Sequence, residues 1–280
     1  MAGILYLVAT PIGNLEDMTY RAVRTLEEAD LIAAEDTRNS IRLLNHFEIK
    51  KPMTSYHEFN KYDKADYLIG VLMEGKSVAL ITDAGTPGIS DPGEVLVEKC
   101  FSAGIQVVPI PGAAALINAL VASGQPTRRF AFEAFLPGEK RERKEILEEL
   151  KKETRTIILY EAPHRLRKTL AELRDTLGNR DITICKELTK KHENFRKTTL
   201  DEVILFYEEE EPRGEYVLVI RGIDREVLEE QAAEAWEQME IPDHIRMYME
   251  KGMTKKEAVK KVAEDRNVPK KEIYPFSVDL

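Results

Sequence analysis

The sequence predicts an α/β protein of two α/β domains followed by a small helical extension, and three observations carry that expectation. Short apolar runs alternate with helix-period segments from Ile4 to Pro109, a second series of the same kind follows the PGAAA turn up to Gly222, and beyond Gly222 the composition shifts. The boundaries read as 1–111, 112–223 and 224–280, with Pro111–Gly112 as a hinge. A chain of 280 residues has room for two ordinary cores and an appendage.

In the first domain, ILYLVAT opens as a buried strand; it has no basic leader and runs into Pro11 and Gly13, so it does not read as a secretory signal. Tyr20–Leu26, LIAAE, Ile41–Phe47, Tyr62–Met73, VALIT, Val95–Phe101 and VVPIP then alternate helix and strand, the signature of a largely parallel sheet covered on both faces. The second domain reads as FAFEAF, a charged helix from Glu139 to Lys152, TIILYEAPHR, a helix from Leu166 to Leu177, DITICKELTK, FRKTTL and YVLVIRG. The charged helix reads as a solvated surface helix and carries no functional expectation.

The third segment is acidic from Arg225 to Glu250, around the lone Trp236, and basic from Lys251 to Lys271. Thr254 is placed as an N-cap, with Ala258, Val259, Val262 and Ala263 on an inner face and a turn near Asn267–Pro269. That is a helix-turn-helix-like unit, open to two readings: a local nucleic-acid anchor or a solvated helical tail.

Composition narrows the function classes. With 43% hydrophobic and 32% charged residues and no long apolar run, no membrane partner is expected. Two cysteines, Cys100 and Cys185, lie far apart and suit a reduced compartment, so the expected location is the cytoplasm. A net charge of −9 argues against holding nucleic acid by general electrostatics, so any RNA site must be local.

Ligands of parallel sheets sit beyond the carboxyl ends of the strands, and the unusual loops fall there: TPIGNLED, AEDTR and TDAGTPGISDPG. None is a G-x-G-x-x-G or a G-x-x-x-x-G-K-[ST] loop. In the third, Gly85 and Gly88 free backbone groups, while Asp83 and Asp91 offer carboxylates to a cationic or hydroxyl-bearing cofactor; Asp91 is also expected to cap a helix starting at Pro92. Glu35, Asp36 and Arg38 cluster after the second strand, and one of these acids is open to a plain capping role. His57, Glu58 and Asn60 form a further polar cluster, as do Glu161, His164 and Arg165, and Lys186, Glu187, Thr189 and His192. No H-x-x-x-H or G-x-S-x-G spacing occurs, so no metal is expected and no serine triad is indicated.

VATPIGNLEDMTYRAVRTLEEADLIAAEDTR, TDAGTPGISDPG, IPGAAALINALVASG and LYEAPHR together resemble the ribosomal RNA small subunit methyltransferase I group of the tetrapyrrole-methylase superfamily, over about residues 4–222. The basic tail also resembles the helix-turn-helix extension of that group. The resemblance implies a two-domain fold with S-adenosyl-L-methionine in a cleft between domains, a homodimer, and 2′-O-methylation of a cytidine in the decoding region of small-subunit ribosomal RNA, free or in the subunit. Carried over position by position, the cofactor residues are Pro11, Gly13, Asp83, Ala84, Gly85, Thr86, Ile89, Ser90, Pro111, Gly112, Ala113, Ala114, Glu161, Ala162, Leu188 and Thr189. Porphyrinoid members have G-x-G-x-G where this chain has T-P-I-G-N, and G-G-D-P where it has A-G-T-P. The second change removes a cofactor-facing carboxylate, with Asp83 as candidate substitute, and both favour the RNA branch.

A ribose hydroxyl attacks better if a base takes its proton, and the candidates are Glu35, Asp36, His57, Glu161, His164, Lys186 and Glu187, with Arg38 and Arg165 as phosphate or substrate clamps. Two rival readings stand beside this one: methylation of a tetrapyrrole or another small molecule, and a non-catalytic RNA-binding ribosome-assembly factor.

Overall fold

A computed structural model gives the structure of residues 1–278, without the side chains of 231–235, 237 and 238. The chain forms two compact units, Met1–Leu150 with Arg155–Arg221, and Lys151–Thr154 with the residues from Gly222 onward.

The larger unit has two lobes, each with its own five-stranded sheet. In the first lobe the strands are β1 (Ile4–Val8), β2 (Leu31–Ala34), β3 (Met53–Ser55), β4 (Val78–Ile81) and β5 (Gln106–Ile110), and the helices are α1 (Tyr20–Glu28), α2 (Thr37–His46), α3 (Lys61–Met73) and α4 (Gly93–Ser102). The sheet runs β3-β2-β4-β1-β5 with every neighbouring pair parallel. Burial on both faces explains the near-continuous apolar strands. Along β4, Val78 and Leu80 pack with Leu68, Leu72 and Leu96 on one face, while Ala79 and Ile81 pack with Ala22, Leu26 and Leu44 on the other.

The expected cap at Asp91 takes a different form. Pro92 is itself the N-cap, with φ −67° and no amide hydrogen, and α4 begins at Gly93. The Asp91 carboxylate accepts from Gly93 N at 2.8 Å, Gly88 N at 2.8 Å and Ile89 N at 3.2 Å, tying the loop to the start of the helix.

In the second lobe the helices are α5 (Ala115–Ala122), α6 (Lys140–Leu150), α7 (Pro163–Leu177) and α8 (Leu200–Glu209). Its strands are β6 (Phe130–Phe135), β7 (Thr156–Glu161), β8 (Asp181–Lys186), β9 (Asn194–Thr199) and β10 (Tyr216–Ile220), in the order β6-β7-β10-β8-β9. Only β6 and β7 are parallel. The helix expected from Leu166 begins at Pro163, because proline at the first helical turn sets φ and forgoes an amide that has no partner there. The charged helix α6 is not purely solvated: Arg143 is 5% exposed, and its guanidinium donates to Glu172 Oε2 at 2.6 Å and Thr169 Oγ1 at 2.8 Å.

The smaller unit holds α9 (Arg225–Gln238), α10 (Ile241–Glu250), α11 (Lys255–Asp265) and α12 (Lys270–Ile273). Thr254 and Glu257 form a reciprocal capping box at the start of α11. Ala258, Val259, Val262 and Ala263 pack with Ile245 and Ile273, and Asn267 takes the left-handed turn (φ 50°) before α12. Among the described residues no helix is long and apolar enough to cross a membrane.

Leu218 lies on the central strand β10, fully buried in the core of the second lobe. Leu218→Ala is expected to lower unfolding free energy by about 2–5 kcal/mol, read from the midpoint of urea denaturation at unchanged slope.

Candidate functional site

The carboxyl ends of the parallel strands and the facing loops of the second lobe enclose a cavity of about 560 Å3. The loops are stitched before any ligand is considered. Thr10 N donates to Gly85 O at 2.9 Å and Gly85 N to Thr10 O at 3.1 Å, joining the loops after β1 and β4. Gly85 has φ 89°, and a Cβ there would stand 3.3 Å from the Ile12 side chain. Thr86 Oγ1 donates to Ala113 O at 3.0 Å, which brings the Pro111–Ala114 turn onto the same assembly. A Cβ on Gly112 would lie 2.8 Å from that of Ala9, so glycine is what lets this turn close on the end of β1. Ser90 is held at φ 64°, a strained conformation for serine that the Asp91 bonds on either side maintain.

Of the expected cofactor residues, Ala84, Gly85, Thr86, Ile89, Ser90, Ala114, Glu161, Ala162 and Leu188 line the cavity. Pro11, Gly13, Asp83, Pro111, Gly112, Ala113 and Thr189 do not. Gly13 packs against the second lobe, where an added Cβ would meet Lys190 Cγ at 2.4 Å and Thr189 Oγ1 at 3.1 Å. Thr189 has φ 66°, and its Oγ1 is buried without a hydrogen-bond partner among the described residues. Asp83, expected as a substitute carboxylate, is not among the lining residues. Its oxygens accept from Asp36 N at 3.1 Å and Asn39 Nδ2 at 3.2 Å, because the backbone after β2 lies within reach of this short side chain.

Among the candidate proton-handling groups, Glu35, Glu161 and His164 reach the cavity. Glu35 Oε2 accepts from Thr82 Oγ1 at 2.5 Å and Asp83 N at 3.3 Å, and no partner of Oε1 is found among the described residues. His164 is exposed on the first turn of α7. Glu161 is 2% exposed and fully engaged: Oε1 accepts from Ala162 N at 2.8 Å, Oε2 from Thr169 Oγ1, and Arg165 Nε lies 3.5 Å from Oε1. Arg165 also donates to Leu136 O at 2.5 Å, so it clamps the protein's own backbone.

The other candidates are not among the lining residues. Asp36 caps α2 and pairs with Arg38 at 2.7 Å, and the Arg38 guanidinium and amide hold its carboxyl down at about 2. Glu187 is pushed up by burial, but bonds from Lys190 Nζ and Glu215 N outweigh this and lower it overall. Lys186 ends β8 opposite Tyr216, and His57 sits in the turn after β3. Among the described residues no three His, Cys, Asp or Glu side chains are arranged to hold a metal.

Several wall residues escaped the sequence reading: Ile12, Leu116, Phe135, Tyr160, Glu215 and Val217. Most lie in runs read only as strand or helix, where alternation of apolar residues says which are buried and not which face a ligand. Tyr160 is the informative case. Its hydroxyl accepts from Leu116 N at 3.1 Å, its ring meets Phe132 and Phe135 edge-on, and burial pushes its phenol up. Arg143 escaped too: through Thr169 it supports Glu161 from behind.

A two-lobed unit with its cavity at the strand ends, walled by glycine- and proline-rich turns, matches a known class. Residues 4–204 match the Tetrapyrrole (Corrin/Porphyrin) Methylases. A solved structure of uroporphyrin-III C-methyltransferase from Thermus thermophilus complexed with S-adenyl homocysteine superposes with a TM-score of 0.55 at 19% identity, over 78% of this chain and 97% of that one. At that identity the likeness speaks for the fold alone. The chain is 50% identical over 272 residues to Ribosomal RNA small subunit methyltransferase I of Halalkalibacterium halodurans, covering 97% of this chain and 93% of the relative. A protein of the same name from Thermotoga maritima is 46% identical over 220 residues, 79% of this chain but 99% of that relative. The chain belongs to the ribosomal RNA small subunit methyltransferase I family.

Two outcomes test this geometry. Asp36, whose folded value is depressed, contributes stability above its unfolded value near 3.9 that is lost as pH falls through about 2. Carboxyl NMR titration is expected to show this midpoint rising in Arg38→Gln. Thr169→Val strips Glu161 and Arg143 of a shared partner, and is expected to lower stability by about 1–3 kcal/mol in urea denaturation and to weaken cofactor binding in calorimetry.

Proposed function

We propose that the protein uses S-adenosyl-L-methionine to methylate the 2′-hydroxyl of a cytidine in the decoding region of small-subunit ribosomal RNA. One observation carries the reading. The loops with the most constrained backbone, drawn from both lobes, converge on a single cavity whose size suits a cofactor of this class and whose wall mixes apolar side chains with few polar groups.

The residues fit the cofactor. Ile12, Leu116, Leu188 and Val217 offer apolar surface, the backbone of Ala84 and Thr86 offers donors and acceptors, and the buried Thr189 hydroxyl, next in sequence to Leu188, has no partner among the described residues. When bound, the cofactor supplies an already activated methyl group, so the chain itself must provide alignment, exclusion of water and proton removal. Glu35 Oε1 is the acceptor for the ribose proton, with Oε2 fixed by Thr82 and Asp83 N. Glu161 is a positioning residue, held by Thr169 and Arg165.

The domains divide this work: 1–111 supplies the substrate cleft and cofactor loops, 112–223 completes the cofactor site, and 224–280 adds an RNA contact. The protein acts as a homodimer in the cytoplasm, a reducing compartment that suits two buried free thiols, Cys100 and Cys185.

The test is transfer of labelled methyl from the cofactor to small subunits lacking the modification, followed by nucleoside analysis. Label in 2′-O-methylcytidine is expected, and Glu35→Gln should slow single-turnover transfer by about 100-fold or more with cofactor affinity kept. Label on a base, or in a porphyrinoid but no RNA, overturns the reading.

A further inference from the structure

The cavity leaves unused the two most exposed aromatic side chains among the described residues, Tyr20, 98% exposed, and Phe59, 97% exposed. Tyr20 opens α1 at the end of the loop after β1, and Phe59 stands in the turn between β3 and α3. Both follow carboxyl ends of strands in the sheet β3-β2-β4-β1, so the loops after β2 and β4, which wall the cavity with Glu35 and Thr82, come between them. The two helices that they lead into cover opposite faces of that sheet, α1 with Ala22 and Leu26 on one and α3 with Leu68 and Leu72 on the other.

The backbone beneath both rings is ordered. His57 N donates to Asn60 Oδ1 at 2.9 Å and Asn60 N to His57 O at 3.0 Å, closing a tight turn under Phe59. The His57 ring meets Phe59 edge-on at 6.2 Å, and Tyr56 just before it is pinned by its hydroxyl to Pro92 O at 2.8 Å. Tyr20 follows the cap Thr19, whose Oγ1 accepts from Ala22 N at 3.1 Å. Rings held out into water by ordered backbone lose little entropy on binding and offer faces to any base. A chain of net charge −9 has little general attraction for RNA to rely on instead.

We propose that Tyr20 and Phe59 are stacking platforms for bases of the substrate RNA on either side of the target nucleotide. This rests on the reading of the protein as an RNA methyltransferase.

The experiment uses the full chain, small subunits lacking the modification and labelled cofactor. Tyr20→Ala and Phe59→Ala are each expected to raise KM for the RNA about tenfold, leaving cofactor affinity and oligomeric state unchanged. The KM ratio of variant to wild type should hold as salt rises. Phe59→Trp should retain activity, and its added fluorescence should be quenched by the RNA without cofactor. Wild-type KM in both alanine variants overturns the proposal, and so does a change of oligomeric state, which would mean that the rings face a second copy of the chain. If wild type labels no RNA, the functional reading fails, and quenching in Phe59→Trp alone decides the platforms.

Discussion

The site depends on a pair of backbone hydrogen bonds, Thr10 N to Gly85 O and Gly85 N to Thr10 O, that join the loops after two adjacent parallel strands. Backbone groups at strand ends have lost the ladder and must find other partners. Here they find each other, and Gly85, at φ 89°, is the residue that allows it. Everything on the first-lobe side of the cavity follows from that junction: Thr86 is aimed at Ala113, the Pro111–Ala114 turn is drawn over the end of β1, and Asp91 gathers three amides to finish the loop.

The second-lobe side is built differently, from side chains buried behind the wall. The chain Arg143, Thr169, Glu161 runs from a surface helix through α7 to the end of β7, and it holds a carboxylate at the cavity with both oxygens engaged by the protein. Glu35 is the counterpart with one oxygen engaged. The contrast between the two acids is one of satisfied against spare hydrogen-bonding capacity.

Much of this was legible in the sequence. Alternating apolar runs marked out the first sheet because parallel strands are buried on both faces, and the N-cap at Thr254 was readable because it is local. The loops were legible as loops because glycine and proline at such density specify backbone. The direction of a side chain was not. Asp83 and Asp91 look alike in the sequence, yet one serves Asp36 N and Asn39 and the other closes its own loop. Arg143 was hidden because a lysine-, arginine- and glutamate-rich helix gives no sign of which cation turns inward, a matter settled by Thr169 and Glu172 from α7.

The order of the first sheet also governs how the chain is made. The strand Ile4–Val8 is made well before the partners that it has among the described residues, Val78–Leu80 and Gln106–Ile110. At translation rates of about 5–20 residues per second, it waits on the order of 10 s before a neighbour emerges. An apolar strand without a partner for that long is a ready template for wrong pairing, and its cysteine-free, proline-ended sequence offers only Pro11 as a break. The long wait of this strand for a partner is therefore a consequence of the sheet order.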